Sequence, residues 1–184
     1  MNSPSSASGP RTRCWHPSGY AVTCSRRSPT TASPPIAQGE VAAKNAAAML
    51  KGGTPTHHMD YRCRLFGVFT HPQVASVGLT QAEAAECNVP HRVATYPFND
   101  HGKSMVMGAM DGFVKLLADP VTGALLGGSV VGPEATELIH EIAVAMHLNA
   151  TAAQLATAPH YHPTLSEIWT YPAEELADNV AAKS

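Results

Sequence analysis

Phe113-Val114-Lys115-Leu116-Leu117-Ala118, Asp119-Pro120-Val121-Thr122-Gly123 and Ala124-Leu125-Leu126-Gly127-Gly128-Ser129-Val130-Val131 form one continuous stretch, and its reading decides the fold. Two apolar runs of strand length flank five residues with the chemistry of a hairpin turn, so the runs are expected to pair antiparallel. Glycines in the second run mark a bulge or a place where another backbone comes close.

Further strands lie on the N-terminal side. Leu65-Phe66-Gly67-Val68-Phe69-Thr70 has strand composition and stops at His71-Pro72, and Val74 to Gly78 reads as a second short extended piece. Thr80 with Glu83 has the spacing of a capping box, opening a helix that runs to Cys87. Arg92 to Tyr96 is the next strand, and His101-Gly102-Lys103 reads as loop. On the C-terminal side, Gly132-Pro133 ends the sheet region and Ala135 to Leu148 is helical. Its apolar residues spread over more than one stripe, which predicts cover on two sides: the sheet on one, and on the other a second subunit or the rest of the same domain. His140 and His147 on this helix do not make a HExxH pair, because Val144 stands where the second histidine would be. Thr151 opens a short helix to Ala156, and a last helix from Leu165 to Leu176 is expected to break at Tyr171-Pro172.

The chemistry is concentrated in His160-Tyr161-His162-Pro163-Thr164-Leu165-Ser166-Glu167. Proline suits the first position of a helix, so a helix is expected directly after His162, with Glu167 one turn along. A carboxylate at that place fixes which imidazole nitrogen carries the proton, and the other nitrogen then faces outward as a base for a group such as a thiol. Two other readings compete. Thr164 and Glu167 fit an S/T-x-x-E capping box, and His160, His162 and Glu167 together offer three metal ligands, although no CxxC or HExxH accompanies them.

The chain has 184 residues and a formal net charge of −2, with no basic patch, which speaks against nucleic acid as a partner. No apolar run is long enough to cross a bilayer, so a soluble, cytoplasmic protein is expected. Cys14, Cys24, Cys63 and Cys87 show neither metal nor CxxC spacing and read as thiols in a reducing compartment. Residues 1–35 are rich in Ser, Pro, Thr and Arg without an acidic residue; they are expected to be disordered or non-native, with an organellar targeting segment the alternative. Residues 36–60 form a helix stopped by Gly52-Gly53, followed by a linker, and residues 61–184 form the folded body. A helix of that length is marginal alone and needs something to pack on.

Three motifs in order carry a resemblance. Phe69-Thr70-His71-Pro72-Gln73-Val74-Ala75-Ser76-Val77-Gly78-Leu79-Thr80, Leu126-Gly127-Gly128-Ser129-Val130-Val131-Gly132-Pro133 and His162-Pro163-Thr164-Leu165-Ser166-Glu167 resemble the C-terminal dimerisation domain of the pyridine nucleotide-disulfide oxidoreductases, the flavoproteins that include dihydrolipoamide dehydrogenase, glutathione reductase and mercuric reductase. The resemblance implies an α+β domain, with an antiparallel sheet flanked by helices, that forms a homodimer. It implies that His162 is the acid-base catalyst toward a dithiol or disulfide substrate, oriented by Glu167, and that the backbone of His162 and Pro163 approaches the partner subunit's flavin. Residues 36–50 resemble the helix that closes the family's FAD domain.

The family's GxGxxG turns for FAD and NAD(P) and its CxxxxC redox pair are absent, so this chain alone is expected to bind neither cofactor stably and to be inactive. It reads as a C-terminal portion of such an enzyme: a truncated product, a mis-joined reading frame or a separately encoded subunit. The alternative is a non-catalytic dimerisation module. The C-terminus lacks the vicinal cysteines of mercuric reductases, which favours a lipoamide- or glutathione-type reaction.

Overall fold

A computed structural model describes residues 12–15, 21–24 and 35–181. Most of segment 1–35 therefore lies outside the described residues. Within it, β1 (Thr12–Trp15) and β2 (Ala21–Cys24) pair antiparallel as a ladder separate from the main sheet.

The hairpin at the centre of the chain forms as its sequence predicts. β6 (Phe113–Ala118) and β7 (Leu125–Gly132) pair antiparallel. The Asp119 carboxylate accepts the backbone N–H groups of Val121 and Thr122, at 2.9 and 2.7 Å, and Gly123 takes φ +70°, which closes the turn. Pairing shifts register at Leu117 and Ala118, so that Leu125 and Leu126 both stay buried but join different apolar clusters. Close approach, the other meaning of the glycines, is also present: a Cβ on Gly127 would sit 2.0 Å from the Leu79 carbonyl oxygen. Leu79 uses that proximity to donate its N–H to the Leu126 carbonyl.

Around this hairpin the sheet extends in the order β3-β4-β7-β6-β5, antiparallel throughout, with β3 (Leu65–Val68), β4 (Gln73–Gly78) and β5 (Arg92–Pro97). β3 ends before Phe69, which is exposed. Between β4 and β5, α2 (Gln81–Glu86) starts with the capping box read from Thr80 and Glu83. Ala84 of this helix, with Cys87 and Val89 just after it, covers Leu117 and Leu126.

α4 (Ala135–His147) lies across β4 and β7, and α6 (Thr170–Ala181) lies across β5 and β6 on the same side of the sheet. The main core forms there, from Ala75, Val77, Val114, Leu116 and Val130 of the sheet and Ile139, Ile142, Trp169, Ala173 and Leu176 of the helical layer. Within the described residues α4 buries one stripe rather than two: Leu138, Ile139, Ile142 and Met146 are inside, while Val144 and Leu148 are exposed. α5 (Ala152–Ala156) begins with a capping box from Thr151 and Gln154 and packs on α6.

Three expectations are corrected. The segment at His101 is not a solvated loop: a 3₁₀ turn at Phe98–Asp100 leads into α3 (Gly102–Met107), and His101 between them is fully buried. No helix begins at Pro163. Thr164 turns its hydroxyl back to the Tyr161 carbonyl, and helical structure starts only at the 3₁₀ turn Ser166–Trp169. Pro172 does not break the last helix; it lies buried in the first turn of α6, where its missing N–H costs nothing.

α1 (Pro35–Leu50) ends where Gly52-Gly53 was expected to stop it, with the Gly53 N–H on the Ala48 carbonyl. It is tied to the following linker by Asn45, which exchanges two hydrogen bonds with the backbone of His57. Ile36, Met49 and Leu50 remain exposed, so the described residues give this helix little to pack on.

Candidate active site

The loop that follows α5 leads through His160, Tyr161 and His162 to the 3₁₀ turn, and the turn is what makes a site of it. Ile168 and Trp169 are fully buried, and the Trp169 indole donates to the Leu138 carbonyl of α4 at 3.1 Å. That anchor carries Glu167 inward, to 8 % exposure. The carboxylate therefore sits at the base of the loop with its oxygens aimed in two directions.

Glu167 Oε2 meets His162 Nδ1 at 2.8 Å. The carboxylate side chain is 10 % exposed and the imidazole 78 % exposed, so a fixed charge inside the domain holds a ring that stands in solvent. Because a carboxylate only accepts, Nδ1 donates, and the neutral ring keeps its lone pair on Nε2, facing outward. The His162-Pro163 peptide is cis. The capping-box alternative does not form: Glu167 spends its carboxylate on histidines, and Thr164 bonds to Tyr161.

The three residues of the metal alternative are not brought together as a set of ligands. His160 places Nε2 2.6 Å from Glu141 on α4, with Nδ1 2.9 Å from the Ala158 carbonyl. Among the described residues no group of three His, Cys, Asp or Glu is arranged to hold a metal. Burial presses the His160 pKa down, but the Glu141 hydrogen bond and charge, with the Ala158 carbonyl, outweigh it and the net direction is up.

The other oxygen, Glu167 Oε1, faces His101 Nε2 at 3.4 Å, an electrostatic contact outside hydrogen-bond geometry. His101 Nδ1 is 2.9 Å from the Ser104 hydroxyl. Burial lowers the His101 pKa, more strongly than Glu167 raises it, so this ring is held neutral. Sequence reasoning missed His101. It is one histidine among ten, in a polar stretch, and the residue that gives it meaning lies on another element far along the chain.

Cys63 is not in a disulfide, and burial raises its thiol pKa, which makes it a poor redox nucleophile. No described helix is long and apolar enough to cross a membrane.

The family described as pyridine nucleotide-disulphide oxidoreductase, dimerisation domain, matches residues 66–173. The dihydrolipoyl dehydrogenase of Halobacterium salinarum is 42 % identical over 137 residues, 74 % of this chain and 28 % of the relative. That of Thermus scotoductus is 37 % identical over 163 residues, 87 % of this chain and 33 % of the relative. The crystal structure of LpdA from Mycobacterium tuberculosis superposes with a TM-score of 0.63 at 32 % identity, covering 71 % of this chain and 28 % of that one. The chain thus spans about a third or less of the length of these relatives. With the family matching more than half of the chain, and with the five-stranded antiparallel sheet and its helical layer in place, the chain belongs to the pyridine nucleotide-disulphide oxidoreductases and carries their dimerisation domain.

Proposed function

We propose that this domain supplies the acid-base pair of a dihydrolipoamide dehydrogenase-like enzyme, with His162 as the catalyst and Glu167 as the residue that orients it. The observation that carries the reading is the inward carboxylate bonded to Nδ1 of an outward imidazole. A substrate thiol reaching Nε2 would give up its proton there and leave as thiolate, the reactive form for exchange with a disulfide. The proton gained makes the ring cationic, and the buried Glu167 carboxylate stabilises that charge at Nδ1–H. In the reverse direction Nε2–H returns the proton to a departing thiolate.

The family's flavin and nicotinamide supply the electron transfer between the dithiol and NAD(P). The residues present fit a flavin that is touched rather than enclosed: Tyr161, His162 and Pro163 are exposed on one loop. His162 and Pro163 would contact such a group through their backbone when it is held by another polypeptide surface. A homodimer provides that surface, and the uncovered Val144 of α4 and Leu148 just after it are consistent with one. We assign α1, whose apolar residues lie uncovered, to the end of an FAD domain, and residues 61–184 to the dimerisation domain.

The test is to join this domain to the FAD and NAD(P) domains of a dihydrolipoyl dehydrogenase relative and measure dihydrolipoamide oxidation. His162→Ala is expected to lower kcat/KM by about 10²- to 10⁴-fold, and Glu167→Gln by less. Unchanged rates in both variants would remove the pair from the mechanism.

A further inference from the structure

Glu167 has two oxygens, and His162 uses only one of them. The other faces His101, whose Nε2 is the buried side-chain polar atom that finds no hydrogen-bond partner among the described residues. Buried polar atoms are nearly always paired, so an orphan needs a reason. Its surroundings fix what it is. Nδ1 lies against the Ser104 hydroxyl, which can donate to it, and the remaining proton of the neutral ring then sits on Nε2, the nitrogen 3.4 Å from the carboxylate oxygen. The ring is also clamped. Tyr171 stands edge-on to it at 6.3 Å and stacks flat on Tyr96 at 4.0 Å, while the Tyr96 hydroxyl donates to Asp100 beside His101.

We propose that His101 is a positioning residue for the His162–Glu167 pair: from inside the domain it restrains the carboxylate by the oxygen that His162 leaves unused. This rests on the acid-base reading of the pair given above. Burial keeps His101 neutral, so it offers a dipole without cancelling the carboxylate charge, and that charge remains available to His162. A cation at the same place would compete with His162 for Glu167. A hydrocarbon there would leave Oε1 desolvated and unopposed, and the carboxylate would turn toward solvent.

The experiment uses the 184-residue chain itself and reads the neutral tautomer of His162 from the nitrogen chemical shifts of its labelled imidazole, at a pH where the ring is uncharged. In the unaltered chain the Nδ1–H form of His162 should dominate. Glu167→Gln should shift the balance toward Nε2–H by about tenfold, which tests the pair. His101→Leu should shift it in the same direction by about fivefold, and His101→Gln, which retains a donor, should recover most of that loss. A folded His101→Leu chain with an unchanged tautomer ratio overturns the positioning role even if Glu167→Gln behaves as expected, whereas an unchanged ratio in Glu167→Gln overturns the pair itself. A purely structural His101 would lower the unfolding midpoint and leave the ratio alone. Should His101→Leu fail to fold, Ser104→Ala decides: by releasing Nδ1 it should move the ratio the same way, and no movement overturns the proposal.

Discussion

Two histidines stand two residues apart on one loop, each paired with a glutamate, and the pairs are arranged with opposite polarity toward solvent. In His162–Glu167 the carboxylate is 10 % exposed and the imidazole 78 %; in His160–Glu141 the imidazole is 12 % exposed and the carboxylate 26 %. Identical functional groups at similar separations thus differ in which partner is left to solvent. A buried carboxylate under an exposed ring leaves the imidazole open to solvent, as the proposed base requires. A buried ring reaching a carboxylate on the neighbouring helix fastens the loop to that helix. Composition cannot distinguish the two pairs; the depth of each partner does.

The sharpest way to break the comparison is to remove one imidazole at a time in a full-length enzyme carrying this domain. His162→Ala should cost about 10²- to 10⁴-fold in kcat/KM, with a smaller effect on stability of about 1 kcal/mol from the hydrogen bond that Glu167 loses. His160→Ala should reverse that order, with a clear loss of stability and a smaller loss of rate. Equal rate losses for both would mean that the loop has one role and not two.

Next in size is Trp169→Ala. The indole fills the core and holds the 3₁₀ turn to Leu138, so both pairs lose their common support; about 3–5 kcal/mol of stability should go, read from a urea midpoint. A smaller effect distinguishes the histidines by pH. The His160 pKa is raised in the folded chain, so its stabilisation is present below about pH 6.5 and is lost as pH rises through the folded pKa. Glu141→Gln should remove about 1–2 kcal/mol at the acid end and little at the alkaline end. His101 has the opposite sign. Its pKa is lowered, so it favours folding above about pH 6.5 and opposes it as pH falls through its folded pKa, and His101→Gln should flatten that acid loss in urea midpoints taken across the range. The smallest effect belongs to the exposed face of α4, where Val144→Thr should change the chain's stability by no more than about 0.5 kcal/mol.

Much of the fold was legible because it depends on neighbours in sequence. The hairpin, the capping box at Thr80, the helix start at Thr151 and the stop at Gly52-Gly53 each rest on residues a few positions apart, and each formed. The approach of His162 to Glu167 belongs to the same class, a contact within five positions around a proline. Local pattern failed where a distant partner outbid it. Thr164 and Glu167 match a capping box letter for letter, but Glu167 is drawn inward by Trp169 and taken up by imidazoles instead. His101 reads as loop because every residue around it is polar or small.

By itself, then, the sequence determined the antiparallel α+β architecture, the family to which its motifs point, and the pairing of His162 with Glu167, all of which follow from short-range chemistry and hydrophobic pattern. Only the tertiary structure decided which member of each pair is buried, that His160 turns to Glu141 on α4, and that His101 lies beneath the unused oxygen of Glu167. Depth and long-range juxtaposition are properties of packed elements, and no window of sequence contains both His101 and Glu167.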